Sequence, residues 1–293
     1  MVTTCWLHRH QYDVAQLDVY SGLSFVWAEA VGWVLQRTGK PFVLTLHGGN
    51  LPTFARRWPK RVRQLLRSAS IVTTPSRYLL EQMCPYRADL RLLPNALDLG
   101  AYSFRLRRLP RPQMIWLRAF HEIYNPSLAL KVCARLSTGL PDVQLTMIGP
   151  DKGDGSLRRL RQLATELAVT DQIAIHDKVP KVQVPDWINR GDIFLNTSSV
   201  DNTPVSVLEA MACGLCVVST RVGGIPYLLQ HGRDALLVPP NDPEAMAAAV
   251  RRVLTEPALA ESLSHNARLK AEQFDWLAIL PQWQALLASV AEG

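Results

Sequence analysis

Glu209, Asp201, Arg118 and His47 are the side chains whose sequence surroundings could support chemistry. Glu209 lies in NTSSVDNTPVSVLEAMACGLCVVSTRVGG, residues 196 to 224. Its helical neighbours Val205 and Ala212 are apolar, so a helix there carries a carboxylate beside its buried stripe. A buried carboxylate needs donors: either a nearby arginine holds it as a structural acid, or the hydroxyls of a ligand such as a ribose do. Asp201, eight residues earlier, is either a solvated loop acid or faces the same mouth. With Thr203 as cap and Pro204 as first helical residue, the amides around Pro204, Val205 and Ser206 point toward the carboxyl ends of the strands, where an anion belongs. Arg118 ends a strand over 114–117 and can fork onto a phosphate, a contact worth about 1.5 to 3 kcal/mol. His47 ends a strand over 42–46 and precedes Gly48-Gly49, as a surface turn residue or as a ligand contact.

The elements needed to position these groups are legible as an α/β alternation. Apolar strands are expected at 14–20, 42–46, 71–74, 90–93, 114–117, 144–148, 173–176, 193–195, 216–220 and 235–238. Helices are expected at 24–37, 76–83, 126–136, 157–167, 182–190, 205–212, 225–230 and 243–254, with two helical segments running on to Val290. Residues 1–13 show neither strand alternation nor a helical stripe. FARRWPKRVRQLLRSAS reads as a basic amphipathic helix over 54–67, shortened by Pro59. It is either a surface helix packed on the sheet or a contact for anionic lipid. Residues 105–112, with Arg105, Arg107, Arg108 and Arg111, read as a solvated interdomain linker. The division is therefore 1–104, the linker 105–112, a second domain 113–272, and a final helix over 273–293.

The long stretch resembles the signature of glycosyltransferase family 4, the retaining enzymes of GT-B fold. In that pattern a Glu, seven residues and a second Glu precede an Ala-Met-Ala-x-Gly run. Asp201 stands for the first Glu, Glu209 matches the second, and EAMACGLCVVSTRVGG matches the remainder, with Cys216 in place of a Pro. TLHGG and PNALD match further family segments, Ala96 replacing a Gly. RAFHEIYNP departs from the family's Arg followed by Lys-Gly, placing Tyr124 or Asn125 where the lysine would be, and Tyr227 replaces a common Glu. The resemblance implies two facing Rossmann-like domains, the N-terminal one incomplete because the usual first strand and glycine-rich turn have no counterpart. The final helix then crosses back to the first domain.

The activity the resemblance implies is transfer of a sugar, with retention, from a nucleotide diphosphate sugar to a glycan or lipid-linked acceptor, as in exopolysaccharide or lipid-linked sugar assembly. No cofactor, metal or protein nucleophile is implied. It carries catalytic roles onto His47, Arg118 and Asp201, and donor binding onto Gly48, Gly149, Val179, Thr203, Pro204, Val205 and Glu209. A nucleotide-sugar epimerase of the same fold, a phosphorylase-like enzyme and a non-catalytic nucleotide-sugar-binding fragment are the rival readings.

Composition bounds these readings. A chain of 293 residues with 48 % hydrophobic content supports two domains, and a formal charge of +7 suits acidic ligands or an anionic membrane face without arguing for nucleic acid. Five cysteines, mostly in apolar runs, favour reduced thiols and a cytoplasmic protein, peripheral at the inner face of a membrane if 54–67 touches lipid. Cys213 and Cys216 form a lone CxxC, read as packing. No apolar run of membrane-spanning length and no signal peptide is present.

Overall fold

Strand follows helix because each apolar run is punctuated by proline, glycine or a capping side chain. A computed structural model describes residues 2–292 and divides them into two compact units. The first comprises the chain up to Ala96, Asp201–Thr203, and the chain from Trp276 onward. The second comprises Leu97–Val200 and Pro204–Asp275.

In the first unit, helix α1 (Val2–Leu7) precedes strand β1 (Ala15–Val19), α2 (Leu23–Arg37), β2 (Phe42–Leu46), α3 (Leu51–Arg57), α4 (Pro59–Ser68), β3 (Ile71–Thr74), α5 (Arg77–Met83) and β4 (Arg91–Leu92). The four strands form a parallel sheet in the order β1-β2-β3-β4. Helix α1 was not expected; it has only 6 residues, and Val2 and Cys5, which pack half-buried against the core of this unit, are too few to show a helical period. The single basic helix expected over 54–67 is two helices. Trp58 sits between them at φ −128°, ψ 54°, since a residue before proline is driven out of the α region. Helix α4 buries Val62, Leu65 and Leu66 and turns its cations outward, except Arg61, which pairs with Glu29.

The second unit contains β5 (Gln113–Leu117), α6 (Pro126–Ser137), β6 (Gln144–Ile148), α7 (Ser156–Glu166), β7 (Ile173–His176), α8 (Val184–Asn189), β8 (Ile193–Asn196), α9 (Val205–Ala212), β9 (Cys216–Thr220), α10 (Ile225–Leu228), β10 (Leu236–Val238), α11 (Pro243–Thr255) and α12 (Pro257–Glu272). The last helix, α13 (Trp276–Ala291), packs Ile279, Leu286 and Val290 against Val43 and Leu93 of the first unit. The six strands are parallel in the order β10-β9-β8-β5-β6-β7, a doubly wound sheet whose order reverses between β5 and β8. Every residue of β8 and β9 is buried, as a parallel sheet covered on both faces requires. One face packs Trp116, Leu128, Val132, Met246 and Leu263; the other packs Ile115, Phe194, Leu208, Met211 and Ile225.

The stretch 97–112 is part of the second unit, not a solvated linker preceded by first-domain chain. Arg107 is only 2 % exposed, because Arg105, Arg107 and Arg111 all converge on the buried carboxylate of Asp192. The Arg105 amide donates to the Cys213 carbonyl, and a Cβ on Gly214 would lie 2.6 Å from the Arg105 carbonyl oxygen. Glycine at φ +78° thus both ends α9 and lets this segment cross close by. No described helix is long and apolar enough to cross a membrane.

Candidate functional site

Loops at the carboxyl edge of the six-stranded sheet are tied together at the β5/β8 reversal. The Trp116 indole N–H donates to the Thr197 hydroxyl at 2.8 Å, and that hydroxyl donates to the Tyr124 carbonyl at 2.7 Å. The Ser199 amide donates to the Ile123 carbonyl. The loop after β5 is thereby fixed against the loop after β8, at the position where doubly wound sheets take ligands.

Arg118 emerges from β5 at this point. Its guanidinium lies 4.7 Å from the centroid of the Tyr124 ring, a cation–π contact. Tyr124, one of the two residues that stand in the region of the family's lysine, therefore meets the arginine and supplies no second cation. Gly149, at the end of β6, touches the same backbone: a Cβ there would fall 1.8 Å from the Arg118 carbonyl oxygen. Beyond it, Asp154 accepts from the amides of Glu122 and Ser156, and these hydrogen bonds bring its carboxyl down to about 2.

Helix α9 begins one residue later than expected. Pro204, at φ −69° and ψ 115°, is the cap, its carbonyl accepting from Val207 and Leu208, and no side chain caps the helix. Thr203 is not the cap and groups with the first unit. The first-turn amides of Val205 and Ser206 have no intrahelical acceptor. The Ser206 hydroxyl, which the sequence did not single out, is buried without a hydrogen-bond partner among the described residues. Amides, a hydroxyl and the positive end of the helix dipole together suit an anion.

One turn further along α9, Glu209 is 3 % exposed. Its side-chain partners are a phenol and an ammonium, not an arginine. The Tyr102 hydroxyl donates to Oε1 at 2.8 Å, and the Lys181 ammonium donates to the same oxygen. Burial and the adjacent carboxylate push the Tyr102 phenol far above its ordinary value, so it stays a donor at any working pH. Nothing in the sequence pattern marks Tyr102 or Lys181, which come to Glu209 from 107 and 28 positions away. Val179, half-buried, packs against the cluster containing Leu208 and Met211.

The first unit holds the remaining candidates. His47 Nε2 donates to Asp18 Oδ1 at 3.1 Å, and its ring stacks on Tyr20 with centroids 5.2 Å apart. The hydrogen bond from His47 outweighs burial and holds the Asp18 carboxyl below its usual range. Gly48 follows at φ +84°, beside the same tyrosine ring. Asp201 is buried, its Oδ1 accepting from the Asn202 amide, while Asn202 accepts from the Ser76 hydroxyl that caps α5. Among the described residues no group of three or more His, Cys, Asp or Glu could hold a metal ion. The cysteines are free; Cys133, Cys213 and Cys216 are buried as expected, but Cys84 is exposed and Cys5 half-buried.

The family model described as Glycosyl transferases group 1 matches residues 105–270, and that described as Glycosyltransferase Family 4 matches residues 4–101. The chain is 25 % identical over 289 residues to the D-inositol 3-phosphate glycosyltransferase of Pseudarthrobacter chlorophenolicus, covering 92 % of this chain and 67 % of that protein. It is likewise 25 % identical over 298 residues to the enzyme of the same name from Thermobispora bispora, covering 91 % and 69 %. Among solved structures, Anabaena HepE in complex with UDP and glucose superposes with a TM-score of 0.85 at 18 % identity, covering 98 % of this chain and 81 % of that one. Sucrose-phosphate synthase from Thermosynechococcus elongatus gives 0.81 at 22 % identity, covering 98 % and 76 %. The fold is that of the GT-B glycosyltransferases, with two Rossmann-like units.

Proposed function

The chain belongs to the group 1 glycosyl transferases, and from that premise we propose that it moves a sugar, with retention, from a nucleotide diphosphate sugar to a glycan or lipid-linked acceptor. The observation that carries the donor half is the start of α9: uncapped amides and a buried, unpartnered Ser206 hydroxyl on the same edge of the sheet as Arg118. The pyrophosphate docks there. Gly149 keeps the phosphate side free of side chain, Val179 borders the base, and Pro204 and Val205 present the helix end. Glu209 takes the ribose hydroxyls.

In the reaction, the bond between the anomeric carbon and the phosphate oxygen breaks and its electron pair goes to the diphosphate. The acceptor oxygen bonds to the same face of the sugar and gives its proton to the departing phosphate oxygen. Arg118 and the helix terminus oppose the charge that grows on the diphosphate, which lowers the barrier because they are already in place. His47 and Asp201 are assigned to the transferred sugar, and Gly48 and Thr203 to donor binding, on the family pattern alone. The exposed Arg56, Arg57, Lys60, Arg63 and Arg67, with Trp58, suit an anionic membrane surface that would deliver a lipid-linked acceptor to a cytoplasmic, peripheral enzyme.

Calorimetric titration of the full chain with UDP and with GDP tests the donor site. Arg118→Ala is expected to weaken the better nucleotide by roughly 10- to 150-fold, the equivalent of one charge-assisted contact. If neither nucleotide binds, or Arg118→Ala and Glu209→Ala both bind as the parent does, the donor site is wrongly placed.

A further inference from the structure

The carboxylate of Glu209 is held asymmetrically. Tyr102 and Lys181 both donate to Oε1, while Oε2 has no protein partner among the described residues. A carboxylate offers about four acceptor positions, so this arrangement saturates one oxygen from the protein and leaves the other for a ligand.

The two donors differ in rigidity. Tyr102 is 4 % exposed, and its carbonyl accepts from Arg268 Nη1, which also donates to the Ala212 carbonyl at the end of α9. The phenol is therefore tied to the helix that carries its acceptor. Lys181 reaches Glu209 from the loop after β7 along a side chain that is 68 % exposed, so its ammonium is a movable counter-charge.

We infer that Tyr102 is a positioning residue that turns Glu209 so that Oε2 faces the ribose hydroxyls, while Lys181 offsets the charge that Glu209 would otherwise direct against the diphosphate. This rests on the assignment of Glu209 to the ribose in the preceding subsection. Tyr102 acts on recognition of the hydroxyls, and Lys181 acts on the phosphates. The two roles predict different losses.

The test compares the tighter of UDP and GDP with its 2′,3′-dideoxy counterpart, by calorimetry on the full chain. The parent protein is expected to prefer the ribose form by about tenfold or more, as hydrogen bonds to a charged group allow. Tyr102→Phe should reduce that preference to within about threefold, leaving affinity for the dideoxy form unchanged, since what is lost is one oriented hydrogen bond. Tyr102→Gln, which restores a donor, should recover part of the preference. Lys181→Met should weaken both nucleotides equally and preserve the preference, an effect that shrinks with added salt.

If the parent discriminates and Tyr102→Phe discriminates equally, the positioning role is overturned while Glu209 keeps the ribose. If Tyr102→Gln recovers nothing, the loss comes from packing and the inference fails. If Lys181→Met alters the preference instead of the common affinity, the division of roles is wrong. If the parent shows no preference, the ribose assignment itself falls.

Discussion

Replacing Asp192 with Asn removes the charge on which three arginines converge. The Asp192 side chain is 2 % exposed; its Oδ2 accepts from the Arg111 amide at 2.9 Å and from Arg111 Nε at 3.1 Å, Oδ1 accepts from Arg105 Nη2, and Arg107 Nε stands 3.5 Å away. Breaking a buried ion pair by removing one partner costs about 3 to 5 kcal/mol, whereas exposed pairs contribute about 0 to 1. The Arg105 and Arg111 side chains, 48 % and 62 % exposed, can turn to water. Arg107 cannot, but it keeps the carbonyls of Arg105, Cys213 and Gly191 and the Asn189 side chain as acceptors. The loss is therefore placed at about 2 to 3 kcal/mol, below the full cost of an orphaned buried charge, while Arg111→Ala should cost no more than about 1 kcal/mol. A two-unit protein need not unfold as one transition, so native-state hydrogen exchange of the β8 and β9 amides is the suitable assay. Burial raises the Asp192 carboxyl, but the hydrogen bonds from Arg111 and Arg105 outweigh it and hold it below its usual range. A depressed carboxyl contributes stability above its unfolded value of about 3.9, and that contribution disappears as pH falls through the folded value. The gap between parent and Asp192→Asn should thus be full at neutral pH and close in acid. A gap under about 0.5 kcal/mol at neutral pH, within the ordinary scatter of surface substitutions, or one that widens in acid, would show that the Asp192 charge does not hold the three arginines.

Gly149→Ala should destabilise the second unit by about 2 kcal/mol or more, from overpacking added to an unfavourable φ of +154°. The displaced Arg118 backbone should also weaken nucleotide binding; thermal melting and titration on one sample check both, and an unchanged melting temperature would contradict the contact. The thiols of Cys133, Cys213 and Cys216 are pushed up to about 12 by burial, so under native conditions a disulfide reagent should label exposed Cys84 first, Cys5 more slowly, and those three only after unfolding. Native labelling of Cys213 or Cys216 at the rate of Cys84 would show that the end of α9 is open.

Local periodicity carried most of the fold. Strands such as 42–46, 71–74, 173–176 and 216–220 stand where apolar runs place them, and α9 ends at Gly214 as expected although Thr203 does not cap its start, since a doubly wound unit is written in segments shorter than a motif. The family signature around Glu209 is equally local. What lay beyond it were pairings between distant segments. An arginine-rich run that ends in two prolines looks like solvated linker until the fold brings one buried aspartate, 81 to 87 positions away, beneath it. Helix α1 has 6 residues and only Val2 and Cys5 turned to the core, too short a pattern to detect as a period. That Glu209 enters a buried helical position and must have donors there follows from the spacing of its apolar neighbours. That these donors are a phenol and an ammonium on one oxygen emerges from the folded chain alone, because hydrogen-bond partners follow from three-dimensional proximity and leave no spacing in the chain.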